Sequence, residues 1–123
     1  MIRVSLKKPS LRLGATISGS VTWIPEPGRA ANAREAIITI GWRTEGRGDK
    51  DSGTIKTIKS SFSEGAMPGA TPVTFECAIP VDAPPTYNGK LIRIIWEIAV
   101  RVDIPWAIDE KHAESFEVLA RRA

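Results

Sequence analysis

Residues 92–104 read Ile92-Arg93-Ile94-Ile95-Trp96-Glu97-Ile98-Ala99-Val100-Arg101-Val102-Asp103-Ile104. Ile92, Ile94, Trp96, Ile98, Val100, Val102 and Ile104 share one parity. Leu91, Arg93, Ile95, Glu97, Ala99, Arg101 and Asp103 share the other. A helix would mix the two sets on its surface, whereas a strand sends them to opposite faces. This is therefore a long strand, apolar on one side, and Pro105-Trp106 closes it.

The same period of two recurs on both sides of it. Ile2, Val4 and Leu6 alternate with Arg3, Ser5 and Lys7, and Pro9 ends that run. Leu11-Arg12-Leu13-Gly14 reads as a connector. Residues 15–24 form a second strand with Ile17, Gly19, Val21 and Trp23 on one face, where Gly19 marks a bulge or a close backbone approach. Residues 29–34 hold at most a turn of helix. Residues 35–45 place Ala36, Ile38, Ile40 and Trp42 on one side, residues 46–53 make a polar turn, and residues 54–62 run back, giving a long hairpin. After a loop containing Gly65, Pro68 and Gly69, Val73, Phe75, Cys77 and Ile79 face one way. Pro84-Pro85 and Tyr87 belong to a crossing segment. Phe116 and Val118 mark the last strand.

That makes about seven strands and no long helical pattern. Ile, Val and Thr number 31 against 5 Leu, a composition that favours strands. A parallel sheet needs crossover helices, for which there is no room, so the expectation is an all-β antiparallel sandwich or barrel. At 123 residues it is expected to be one domain spanning 1–123.

Composition excludes several function classes. One Cys rules out an internal disulfide and a cysteine-rich zinc site, and one His removes most histidine-based metal sites. No secretory signal or membrane span is expected, so the reading is a cytoplasmic protein without membrane insertion. The net charge of +3 is uneven: residues 1–50 carry nine Lys/Arg against four Asp/Glu, and residues 51–123 carry eight against ten. Basic residues are not interleaved with aromatics, so nucleic acid is not an expected partner.

Candidate chemistry reduces to structure in each case. Cys77 shares the parity of Phe75 and Ile79 and is expected to be a buried, inert thiol. His112 follows Asp109-Glu110-Lys111 in what reads as a charged turn, with no second His or Cys at ligand spacing. Nothing resembles a nucleophile elbow. Asp49 and Asp51 flank Lys50, which spoils a calcium loop, and Ser60 stands where its closing Glu would be. Arg47-Gly48-Asp49 is an adhesion tripeptide only outside the cell, and here it reads as a turn. The nearby glycines are not followed by the Gly-Lys-Ser/Thr of a phosphate loop. No catalytic residue, metal ligand or cofactor is expected. Trp23, Trp42 and Trp96 fall on inward parities and are expected in the core, while Trp106 either caps the sandwich or offers an exposed anchor.

In order and spacing these segments resemble a known family. Gly14-Ala15-Thr16-Ile17-Ser18-Gly19-Ser20-Val21 is similar to the opening strand of arrestin-type domains, and residues 38–46 to the next strand and turn. Pro68-Gly69, Phe75, Ile79-Pro80, Pro84-Pro85, Tyr87-Asn88-Gly89 and Ile94-x-Trp96-x-Ile98-x-Val100 follow in the family's order, and Glu114, Phe116 and Val118 resemble its closing strand. The resemblance covers roughly residues 11–119. It implies an immunoglobulin-like β-sandwich of arrestin type, working as a noncatalytic protein-interaction or scaffold module. Arrestins pair two sandwiches and this length holds one, so their interdomain network does not transfer. The alternative is a sandwich that holds a small molecule or lipid between its sheets.

A sandwich has open edges that accept a partner strand, or a second copy of itself. The hairpin around residues 39–57 is the leading surface, with Arg43 and Arg47 expected at a basic tip and Trp106 as a further contact. Reversing the charge of both arginines is expected to weaken binding of an acidic partner and leave the melting temperature nearly unchanged.

Overall fold

The computed structural model describes residues 1–24, 35–48, 50–61, 72–103 and 108–120. The expected helical turn at 29–34, the Pro68-Gly69 loop, Asp49, Ile104 and Trp106 lie outside the described residues. The described strands are β1 (Ile2–Leu6), β2 (Ser10–Arg12), β3 (Thr16–Trp23), β4 (Glu35–Gly46), β5 (Ser52–Ser61), β6 (Val73–Ala78), β7 (Tyr87–Asn88), β8 (Ile92–Asp103) and β9 (Glu110–Leu119).

They form two sheets. The smaller has the order β1-β3-β6 and the larger β2-β9-β8-β4-β5, with β7 alongside β8. The strand pairs are antiparallel except β2–β9, which runs parallel with Leu11 opposite Val118. Each sheet is apolar on one face because its strands alternate, and the two apolar faces pack together. Ile17, Val21, Trp23, Phe75 and Cys77 from the smaller sheet meet Ile38, Ile40, Trp96, Ile98, Val100, Val102, Phe116 and Val118 from the larger. Trp96 lies at the centre, fully buried, with its ring tilted against Phe116 at 6.0 Å between centroids. Its indole N–H donates to the Pro84 carbonyl at 2.7 Å, so the aromatic carries no unmet polar atom into the core.

The Pro-rich crossing is tied down by the same strands. Thr86 N donates to Val118 O, and Val118 N donates to the Thr86 hydroxyl, both at 2.8 Å. Trp23 of the smaller sheet donates through Nε1 to Glu110 of the larger at 2.6 Å, pinning the sheets at their far end.

Three details refine the expected pattern. There are nine described strands where about seven are expected. Leu11, expected in a connector, is buried in the core, and Tyr87-Asn88 pairs with β8; runs of three and two residues are too short for a period of two to show. Gly19 lies in unbroken register with both neighbours, so it marks a close approach and not a bulge; the register shift falls at Ile40/Gly41. Trp42 is half-buried, its indole against Gly53, where the missing side chain leaves room for the ring.

Candidate interaction surface

The β4–β5 hairpin turns through Gly46 and Gly48, at φ +131° and +98°, the region that favours glycine. Across its neck Thr44 N donates to Asp51 O at 2.9 Å, and Asp51 N donates back to the Thr44 hydroxyl at 2.8 Å. The tip does not stand alone. Arg47 N donates to Leu91 O at 2.9 Å, docking it on the β7–β8 turn, which Gly89 N closes by donating to Ile92 O at 3.0 Å. A side chain on Gly46 would run into the Leu91 carbonyl, so the junction depends on that glycine.

The two joined turns display apolar groups at one end of the sandwich. Leu91 is 66% exposed, Tyr87 53% and Ile92 37%. Arg47, Lys50 and Lys90, all exposed, come from the same two turns. An aromatic, two aliphatics and three cations carried by two joined turns match the make-up of protein contact sites. Residues 35–46 and 92–103 hold these turns in place, because β4 and β8 pair along their whole lengths.

Arg43 has a different position from Arg47. It lies within β4 opposite Ile95, on the outward face, and not at the tip. Its Nη1 donates to Glu45 at 2.9 Å and its Nε to Glu97 at 3.1 Å, while Arg93 meets the second Glu45 oxygen at 3.4 Å. The hydrogen bond from Arg43 holds the Glu45 carboxyl below its ordinary range. The charge of Arg43 is thus answered within the sheet, whereas Arg47 has no ion-pair partner among the described residues. Reversing Arg43 would set a carboxylate beside Glu45 and Glu97. It is therefore a stability change, and the clean binding probe is Arg47 with Lys90.

The sequence did not mark Tyr87, Leu91 and Ile92 as contact residues, and Ile92, which shares the inward parity of Trp96, is exposed where β8 begins. For Leu91 the signal was there: Lys90-Leu91 follows Gly89, and a turn residue that is large and apolar has little core within reach.

The reactive groups are separated. His112 lies within β9, not in a turn, with its Nε2 3.4 Å from Glu114. Asp109 pairs with Arg101 at 3.5 Å, so it does not orient that imidazole. No group of three or more His, Cys, Asp or Glu among the described residues could hold a metal ion. Cys77 is 5% exposed and burial pushes its thiol pKa up. A maleimide or disulfide reagent at pH 8 is expected to label it at least about a hundredfold more slowly in native than in unfolded protein. Equal rates would place the thiol at the surface.

Two apolar faces packed with this strand order make a β-sandwich of the arrestin type. Residues 52–122 match the arrestin (or S-antigen) N-terminal domain, and with more than half of its length matched the chain belongs to that family. Its structure is similar to that of Spo0M, a sporulation control protein from Bacillus subtilis, with a TM-score of 0.67 and 19% sequence identity. The match covers 98% of this chain and 49% of Spo0M, so the chain spans about half the length of that protein. At such identity the likeness shows the fold. No curated protein matches the chain by sequence. No helix among the described residues is long and apolar enough to cross a membrane.

Proposed function

We propose that residues 1–123 form one sandwich domain that works as a protein-interaction module through the end where the β4–β5 and β7–β8 turns meet. The supporting observation is the exposed trio Tyr87, Leu91 and Ile92 beside Arg47 and Lys90. The partner that suits it is a protein segment with apolar residues among acidic ones. Leu91 and Tyr87 would supply buried contact area, and the cations would speed encounter. The setting is the cytoplasm, where a lone reduced thiol such as Cys77 is stable.

The experiment compares wild type with R47E/K90E and with Leu91→Asp, using a partner recovered by wild type from its own lysate. Both variants are expected to keep the melting temperature within about 2 °C, since exposed substitutions usually change stability by less than about 0.5 kcal/mol. Binding should weaken at least tenfold in each. R47E/K90E should slow association, with a reduced salt dependence, while Leu91→Asp should speed dissociation. Unchanged affinity in both variants would remove this end of the sandwich from the binding surface.

A further inference from the structure

The outward face of the larger sheet carries an ordered pattern that the hairpin end does not explain. Strand register sets its side chains in rows across β5, β4, β8 and β9. The first row is acidic, with Glu35 opposite Asp103. The second is basic: Lys59, Ile37, Arg101 and Lys111 stand in line. The third is small and uncharged: Thr57, Thr39, Ala99 and Ala113. In the fourth, Gly41, Glu97 and Ser115 align, and in the fifth Arg43 faces Ile95. The short third row leaves a depression of about 530 Å³, walled by Ile37, Arg101 and Lys111.

We infer that this face is self-complementary and binds a second copy of the chain about a two-fold axis. The axis lies in the face and runs across the strands along the third row. Rotation by 180° brings the second row of one copy over the fourth row of the other, and the first over the fifth. Arg101 then faces the partner copy's Glu97, because both stand on β8, and Glu35 faces its Arg43, because both stand on β4. Ile37, half-buried on its own sheet, stands over the partner copy's Gly41, where the irregular β5 backbone at Gly53 fills the place of a side chain. Thr39, Ala99 and Ala113 meet their own equivalents, and their size lets two sheets approach the usual ~10 Å. Ile95 across from Asp103 is the opposition that brings no attraction, and it lies at the rim.

The groups concerned have bonding capacity to spare. Arg101 holds Asp109 loosely, at 3.5 Å through one nitrogen, and Glu97 accepts one bond from Arg43. A uniformly acidic partner fits less well, because the basic row is flanked by Glu35 and Asp103 on one side and Glu97 on the other. Four strands and five rows span about 19 by 27 Å, or roughly 1,000 Å² buried over both copies, the lower edge for a specific interface. The dimer is accordingly weak and reversible, in the micromolar range. This inference does not rest on the hairpin end.

The measurement is sedimentation equilibrium of the full chain from about 10 to 500 μM, with melting temperatures alongside. Wild type should pass from monomer to dimer across that range. Arg101→Glu and Glu97→Arg should each weaken self-association at least tenfold. An equimolar mixture of the two variants should recover wild-type affinity, because each copy then offers the charge the other needs at both contacts. Ala99→Lys, placed on the axis and clear of the ion pairs, should abolish dimerisation, and it serves if Glu97→Arg fails to fold. Monomeric wild type at 500 μM overturns the inference, as does a mixture no stronger than its components, or Ala99→Lys that still dimerises. Dimerisation lost in R47E/K90E but kept in Arg101→Glu would move self-association to the hairpin end, overturning the face and sparing the functional proposal.

Discussion

Replacing Trp96 by Ala is expected to cost about 3–5 kcal/mol of folding stability. The ring is fully buried at the centre of the larger sheet's inner face, so truncation removes its transfer free energy and leaves a cavity among Phe116, Ile98 and their neighbours. The Pro84 carbonyl also loses its donor, which adds a desolvated acceptor to the cost. For a domain of this size the melting temperature should fall by roughly 10–20 °C in thermal unfolding followed by circular dichroism. Ile95→Ala, one residue away on the opposite face, is the control and should cost less than about 1 kcal/mol. A loss below about 1 kcal/mol for Trp96→Ala itself would mean that the ring faces water.

Gly19→Ala is expected to cost on the order of 3 kcal/mol, at the upper end of what one added methyl does in a packed interior. Gly19 sits in the middle strand of the smaller sheet, opposite Leu6 on β1 and Phe75 on β6. A Cβ there would collide with the Ser5 carbonyl oxygen and press on the end of the Phe75 ring. Backbone on a paired strand cannot swing aside as a side chain can, so β1 would have to shift or detach. Urea titration should show a lower midpoint with an unchanged slope. Ser18→Ala, next to it on the outward face, should stay within about 0.5 kcal/mol. An equally mild effect for Gly19→Ala would contradict the three-strand register.

The inner faces of both sheets were legible in the sequence because burial there follows the parity of long runs. Ile38, Ile40, Trp96, Ile98, Val100 and Val102 lie in the core as their alternation requires, and so do Phe75, Cys77 and Ile79. What alternation does not encode is which strands meet. Nothing in Ser10-Leu11-Arg12 announces that it would add to β9 in parallel, because a contact across about a hundred residues leaves no local period. The site was less legible for the same reason. Arg43 and Arg47 look alike in the chain, four residues apart in one hairpin. Only the pairing of β4 with β8 brings Glu97 to Arg43 and leaves Arg47 in a turn. Likewise Leu91 owes its place on the surface to the docking of one turn on another.

The claim that the joined turns are the contact surface is tested most directly by site-specific photo-cross-linking. A photoreactive amino acid is placed at Leu91, at Tyr87 and, as a control on the outward face of the smaller sheet, at Thr74. The tagged protein is irradiated in its own cells and the adducts are resolved by mass. The expected result is a discrete adduct from positions 91 and 87, shared between them, absent at 74, and lost when R47E/K90E is added. Adducts at 74 equal to those at 91, or none at 91 and 87, would contradict it.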